Sequence, residues 1–436
     1  MKQLEKQYKS GQDFCKKTNK SNETGFWRLL SRNIFVPNKF QTQKYSSYLE
    51  VLAIIPSFKP GKLCIKLVED LIKWNPNLIV CVVDDATPKD YEAEHHIFEK
   101  IRAISKRVLV LRTPENKLKA GAINKGILHF LESEDVSTPD IILTLDDDVV
   151  ISEKTVKNLV ENLLEDDSLG AVCSQCRVIN KNQNFLTRLQ GLEYFGFNTS
   201  RIADERLLYG PIVMHGMLTA FRTQALKDAG FFAEKHLIED YEVTANIKKK
   251  GKWHVRLAPY AYAWTEVPYK FNDLWRQRTR WNVGGLFVIT EIGYWRSVFQ
   301  DIIGHFLFIF TFVLIILSLV FYGERGSIPN IAVILILVFS ITPALMWYFF
   351  QLWLMRFYKE GDWKDRLIRA SIIPEFLYAN LLSIILLGSY VFFTFYTLFS
   401  WVEKKTQSHV VTNIKRIIEL GFARIGYTRS WGTRID

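Results

Sequence analysis

Three consecutive carboxylates, Asp146, Asp147 and Asp148, follow the run Ile141-Ile-Leu-Thr-Leu145. Such a run reads as a buried strand, and acids at its end stand where the strand leaves the sheet, which in open α/β sheets is where ligands bind. Adjacent acids repel one another unless a cation sits among them. A divalent cation carrying a diphosphate meets that need, since Mg²⁺ typically takes one or two carboxylates plus phosphate oxygens. The competing reading is an acidic turn before a helix, because Ser152-Glu-Lys-Thr155 has the form of a helix start. The stretch by itself leaves both open. A second apolar run, Leu78-Ile-Val-Cys-Val-Val83, ends in Asp84-Asp85, and Glu239-Asp240 is a third acidic pair. Gln277, Arg280 and Trp281 are spaced i, i+3, i+4 and share one helix face, which offers an amide, a cation and an aromatic plane. A general base plus groups that neutralise a leaving diphosphate are what displacement at a phosphate-activated carbon requires.

The elements that position these residues form an α/β alternation beginning at Tyr48. Strands are predicted at 49–56, 78–85, 107–112 and 141–146, with helices at 64–74, 91–105 and 120–130 between them. Strands alternating with helices call for a mostly parallel sheet with right-handed crossovers. Parallel strands would deliver both acid pairs to the same sheet edge.

A formal charge of +11 on 436 residues points to anionic partners, such as nucleotide sugars, nucleic acid or an anionic membrane face. Nucleic acid is set aside, because no Gly-rich or aromatic-interleaved RNA motif is present. Five cysteines, an odd number, do not form a disulfide framework, and Cys173-Ser-Gln-Cys176 lies in a strand-like run as two buried thiols. The polar, Lys-rich start has no secretory signal and is expected in the cytosol. Within the basic segment 1–48, residues 1–20 read as a disordered tail and 26–35 as a short helix lying on a membrane surface. Three long apolar segments, 302–322, 328–354 and 372–401, each match the ~20 residues needed to cross a bilayer. The chain therefore reads as an integral membrane protein.

In order and rough spacing, Asp84-Asp85, Asp146-x-Asp148, Glu239-Asp240 and Gln277-Arg-Thr-Arg280-Trp281 resemble the motifs of the processive family 2 glycosyltransferases, the membrane synthases of cellulose, chitin, hyaluronan and poly-N-acetylglucosamine. Lys119-Ala-Gly-Ala-Ile-Asn124 and Glu266-Val-Pro268 match further landmarks, and Trp431-Gly-Thr-Arg434 resembles a tail motif of hyaluronan and chitin synthases. The resemblance covers residues 50–285. It implies a GT-A catalytic domain (49–270), interfacial helices (271–300), a membrane region (301–401) and a tail (402–436). It further implies Mg²⁺ or Mn²⁺ on Asp146 and Asp148, and a UDP-sugar donor contacted by Asp84, Asp85, Lys119, Asp146, Gln277, Arg280, Trp431 and Arg434. Asp240 would be the base with Glu239 beside it, and Trp281 would stack on the growing polysaccharide. Arg276 and Arg278 are expected to point away from the site. Lys248-Lys-Lys250 reads as a solvated helix end, His95-His96 as a surface pair, and His215 as a residue that could line the acceptor path. The tail tilts the donor toward UDP-N-acetylglucosamine, with or without glucuronate, although Ile238-Glu-Asp-Tyr241 departs from the Gly-Asp-Asp-Arg usual in hyaluronan synthases.

The alternatives are a non-processive transferase that glycosylates a membrane lipid once, and a catalytically dead binding or transport protein. If all three apolar segments cross, a cytosolic catalytic domain leaves the tail outside. Lys404, Lys405, Lys415, Arg416, Arg424, Arg429 and Arg434 place it inside by the positive-inside rule. Segment 372–401, with Pro374, Glu375, Asn380 and Gly388-Ser389, is therefore expected to lie at the interface or re-enter, keeping the C-terminus on the catalytic side of the plasma membrane.

Overall fold

The computed structural model describes residues 50–133, 137–204, 209–234, 238–251, 253–294, 299, 342–358 and 360–428. The expected helix at 26–35, the segment 302–322, the start of 328–354, and Trp431 and Arg434 lie outside them.

Among the described residues eight strands make one sheet: β1 (Val51–Ser57), β2 (Leu78–Asp84), β3 (Val108–Arg112), β4 (Ile141–Leu145), β5 (Val150–Ile151), β6 (Leu169–Val178), β7 (Leu218–Arg222) and β8 (His254–Thr265). Their order is β3-β2-β1-β4-β7-β6-β8-β5. The first four pair in parallel, and β6 pairs in parallel with β8. β7 runs against both of its neighbours, and β5 runs against β8. The sheet is therefore mostly parallel, as the alternation demands. β1, β2 and β4 are buried at every position, save Ile79 of β2, because helices cover both faces.

Register explains why the acids meet. Ser57 at the end of β1 pairs with Asp84 at the end of β2, and Ser57 Oγ donates to Asp147 Oδ2 (2.6 Å) just beyond β4. Helix α1 (Lys62–Trp74) covers one face with Cys64, Leu67, Val68 and Leu71, a stripe at helical spacing. The single helix expected over 91–105 is two, α2 (Lys89–His95) and α3 (Ile97–Arg102), because His96 takes a left-handed φ of 50° between them. Next come α4 (Leu118–Glu132), α5 (Thr155–Leu164), α6 (Phe185–Ala203), α7 (Thr223–Ala229), α8 (Glu239–Lys249) and the long α9 (Phe271–Ile292).

The chain divides into two compact units, one running through Gly293 and resuming at Leu381, the other Tyr294–Asn380. In the second, α10 (Thr342–Leu354) is followed by α11 (Trp363–Ser371), which opens on a reciprocal Asp362–Asp365 capping box. Buried Arg369 donates to Gln351 (2.6 Å) and pairs with Glu375 (2.9 Å).

Segment 372–401, expected to lie at the interface or to re-enter, is the continuous 34-residue α12 (Ile373–Thr406), without the break expected at Gly388-Ser389. Pro374 falls in its first turn, where the missing N–H has no partner to lose. Gly388-Ser389 does not break it, for Ser389 Oγ bonds back to Ile385 O (3.0 Å). A Cβ on Gly388 would meet the Tyr427 hydroxyl at 2.1 Å, so this glycine makes room for a packed ring. α12 is long and apolar enough to cross a membrane. From Ile385 onward it also packs on its own unit. α13 (His409–Arg424) runs back along it, with Lys415 on Glu403 (2.9 Å), Phe422 against Phe392, and Tyr427 donating to Ile385 O (3.1 Å). Phe287 of α9 meets Phe393 and Tyr396, and Trp275 Nε1 donates to Ile425 O (2.7 Å). The chain beyond α13 thus returns to α9 and the unit that holds the sheet.

Candidate active site

At the carboxyl end of β4 the first carboxylate, Asp146, meets Lys119 Nζ at 2.6 Å. Lys119 rises from the first turn of α4 and also touches Glu239 Oε1 (3.0 Å) and Gly216 O (3.3 Å). Burial works against this ammonium, but Asp146, Glu239 and Asp240 overcome it and hold its pKa above the ordinary lysine value. A Cβ on Gly216 would lie 2.5 Å from Nζ, so only glycine leaves the lysine its seat.

Glu239 and Asp240 open α8, where the helix dipole favours negative charge. Asp240 is clasped by backbone: Oδ2 accepts from Gly216 N (2.9 Å) and Oδ1 from Tyr241 N (2.8 Å). Burial and then the neighbouring Glu239 raise its carboxyl to about 7, against the opposing pull of Lys119. A carboxylate poised near neutrality, beside a small pocket lined by Ile123, Thr144, Met214 and Val243, can serve as a general base.

Loss of water, then repulsion by Asp146 and Asp147, raise Asp148 to about 7. Its side chain is nevertheless open to solvent, so like-charge crowding is the part that a cation would relieve. Asp146 and Asp148 offer hard oxygen donors of the kind Mg²⁺ or Mn²⁺ takes, although Lys119 already engages Asp146 and no group of three or more acidic, His or Cys ligands gathers among the described residues.

Asp84 and Asp85 stand at the end of β2, nearly buried, and each is engaged by the protein itself. Asp84 pairs with Arg112 and accepts from Thr87 N (2.8 Å). Asp85 accepts from Lys117 N (2.8 Å) and Thr113 Oγ1 (3.0 Å), and burial raises its pKa. They shape the loops at this edge, while Lys119, Asp146, Glu239 and Asp240 form the cluster proper.

On α9 one arginine departs from its expected direction. Arg278, expected to point away, is buried, forms an ion pair with Glu193 of α6 (2.6 Å) and lies 4.2 Å over the Trp281 ring. The i, i+3 step puts its guanidinium there, and a buried cation needs the carboxylate Glu193 supplies. It also donates to Gln277 Oε1 (3.1 Å), while Gln277, Arg280 and Trp281 are half-buried.

A family model described as "Glycosyl transferase family group 2" matches residues 141–356, which include the β4 acids, Glu239-Asp240 and the α9 motif. The chain carries a family 2 glycosyltransferase domain. Over 215 residues it is 27% identical to a poly-beta-1,6-N-acetyl-D-glucosamine synthase of Staphylococcus aureus (strain COL), covering 49% of this chain and 48% of that protein. It is 30% identical to the probable glycosyltransferase YdaM of Bacillus subtilis (strain 168), covering 49% of each. The matched region thus spans about half the length of these curated relatives. Among solved structures, a mannosyltransferase of Pyrobaculum calidifontis, in complex with GDP-Man and Mn²⁺, superposes over 80% of this chain and 92% of its own with a TM-score of 0.51 at 19% identity. That likeness concerns the fold, a GT-A-type sheet followed by C-terminal helices.

Other residues singled out in the sequence fall away from the cluster or change role. His96 is exposed, with Nδ1 beside Glu99, while His95 is half-buried with its ring stacked on Tyr91. Cys173 and Cys176 are buried thiols, pushed up to about 11 and about 12 by burial. His215 is buried with Nε2 on Ser174 O (2.5 Å), and burial, then Arg201, lower its pKa to about 3. Lys248 overturns the solvated helix end: it is 2% exposed and donates to Gly210 O and Pro211 O, while Lys249 and Lys250 are exposed. Gly216, Arg112 and Glu193, which the sequence does not single out, and Arg278 take part through contacts between distant segments that local sequence does not announce.

Proposed function

We propose that this domain catalyses inverting transfer of a sugar from a UDP donor to a growing β-linked chain at a membrane, with N-acetylglucosamine as the sugar. The observation that carries the reading is the cluster at the carboxyl end of β4 in which Lys119 joins Asp146 to Glu239 and shares the Gly216 backbone with Asp240. Asp240, with a pKa near neutral pH, takes the acceptor hydroxyl proton as the oxygen attacks the anomeric carbon from the side opposite the diphosphate. Lys119 supplies a fixed cation on the phosphate side. A divalent cation, Mg²⁺ or Mn²⁺, held by Asp146 and Asp148 would neutralise charge on the departing diphosphate. Trp281, with Arg278 on its ring, offers the acceptor sugar an aromatic face. The poly-N-acetylglucosamine relative supports the sugar and the polymer, and the Mn²⁺ complex of the mannosyltransferase supports the metal.

The test is UDP release from a panel of UDP-sugars, with and without Mg²⁺ or Mn²⁺, using full-length protein in vesicles. Metal-dependent release from UDP-N-acetylglucosamine, with polymer on a gel, is the expected result. A single glycolipid product would replace the polymerase with a one-step transferase. Absence of UDP release from every sugar nucleotide would overturn the reading.

A further inference from the structure

The segment 209–216 lies along one face of α8, held by three side chains spaced four residues apart. Lys248 Nζ donates to Gly210 O (3.1 Å) and Pro211 O (2.5 Å). Thr244 Oγ1 accepts from Met214 N (3.2 Å) and donates to Asp240 O (2.5 Å). Asp240 Oδ2 accepts from Gly216 N (2.9 Å). Residues 240, 244 and 248 form a single stripe at the i, i+4 spacing, and the loop climbs it toward the helix N-terminus. The far end is fixed as well. Gly210 has φ +104°, Tyr209 O accepts from Val255 N (2.9 Å), and a Cβ on Gly210 would lie 1.9 Å from Val255 O.

Lys248 needs a reason to be inside. Lysine is among the residues least often fully buried, and removing an ammonium from water without a carboxylate in contact opposes folding. Met would fill the same volume without that penalty. What Lys248 provides is a donor that reaches two carbonyls at the start of a segment whose last N–H ends on Asp240.

We propose that Lys248 and Thr244 are positioning residues for Asp240, setting the register of 209–216 on α8 so that the Gly216 N–H stays on the carboxylate. This rests on the reading of Asp240 as the base. If the loop slips, Asp240 loses one of its two backbone donors, and Lys119 loses the Gly216 carbonyl beneath it. The charged groups facing Asp240 are Glu239 on α8, Lys119 on α4 and Arg201 on α6, and Asp204 faces Lys248. A carboxylate deprived of a hydrogen bond to its charged form takes up its proton at higher pH.

The experiment compares Lys248→Met, Lys248→Arg, Thr244→Val and the exposed control Lys249→Met in full-length protein. UDP release is followed from about pH 5.5 to 9, and hydrogen exchange is followed over 209–217. Lys248→Met and Thr244→Val are expected to lower kcat roughly 10–100-fold, with the donor KM within a few-fold. The acid limb should move up by about one pH unit, and exchange over 209–217 should quicken. Lys248→Arg, which keeps its donors, should recover much of the rate, and Lys249→Met should match wild type. An unmoved acid limb with unchanged exchange in both Lys248→Met and Thr244→Val overturns the proposal. If Lys248→Met does not fold, the near-isosteric Thr244→Val decides by the same readouts. If wild type releases no UDP, the assignment of the base has failed, and the exchange result alone decides for or against the loop's dependence on Lys248 and Thr244.

Discussion

Replacing Asp240 by Asn separates proton transfer from binding. The amide keeps the shape of the carboxylate, but only its oxygen can accept. Asp240 receives two backbone N–H groups, from Gly216 and Tyr241, so one of them would face an NH₂ and lose its partner. That costs about 1–3 kcal/mol of stability. The kinetic loss is separate. With no proton acceptor at this position, kcat should fall by about 10²–10⁴, or about 3–5 kcal/mol of barrier at ~1.36 kcal/mol per tenfold. UDP binding should stay within a few-fold, because Lys119, Asp146 and Asp148 are untouched. The pH dependence is the sharper readout. Asp240 is raised from 3.8 to about 7 by burial and by Glu239, so wild-type kcat/KM should fall about tenfold per unit below pH 7. In the variant, assayed at saturating Mn²⁺ so that Asp148 stays ionised, that limb should vanish. The native state also holds this proton more tightly than the unfolded chain does. Wild type therefore loses stability as pH rises from about 4 to about 7, and melting curves should show Asp240→Asn without that loss. A variant with kcat within tenfold of wild type, or a wild-type acid limb near pH 4, would refute the reasoning.

Asp148→Ala should abolish the metal dependence of donor binding, which calorimetry with UDP and Mn²⁺ would measure; intact, metal-sensitive affinity would move the metal site elsewhere. Glu193→Gln leaves Arg278 buried without its carboxylate and should destabilise the domain by about 3–5 kcal/mol, read as a lower denaturation midpoint with altered Trp281 fluorescence. A cysteine placed after Asp436 should resist labelling from outside intact cells, because Trp275 holds Ile425 at the catalytic unit. With the tail on that side, Trp431→Ala should lose polymer synthesis, and normal polymer from that variant would leave Trp431 without a role.

What the chain determines by itself is whatever depends on local order. Apolar runs of five to seven residues ending in acids, alternating with helical stripes, are enough to predict a mostly parallel sheet with its carboxylates at one edge. β1, β2 and β4 bear this out, because strands buried on both faces must be continuously apolar. The Asp146, Glu239-Asp240 and Trp281 positions were legible for a related reason: charged or aromatic residues at element ends have few structural uses. Tertiary structure decided which partner each of them has. Spacing sets Arg278 three residues before Trp281, near enough to meet its ring, but gives no sign that this arginine is buried. Only Glu193, 85 residues upstream on α6, draws Arg278 into the interior. Lys248 reads as one of three solvated lysines until the loop at Gly210 closes over it, because a side chain's burial is set by what packs on it and not by its neighbours in sequence. α12 behaves in the same way. Its Gly388-Ser389 pair looks like a break, yet Tyr427, almost forty residues later, fills the gap that the glycine leaves and the helix continues.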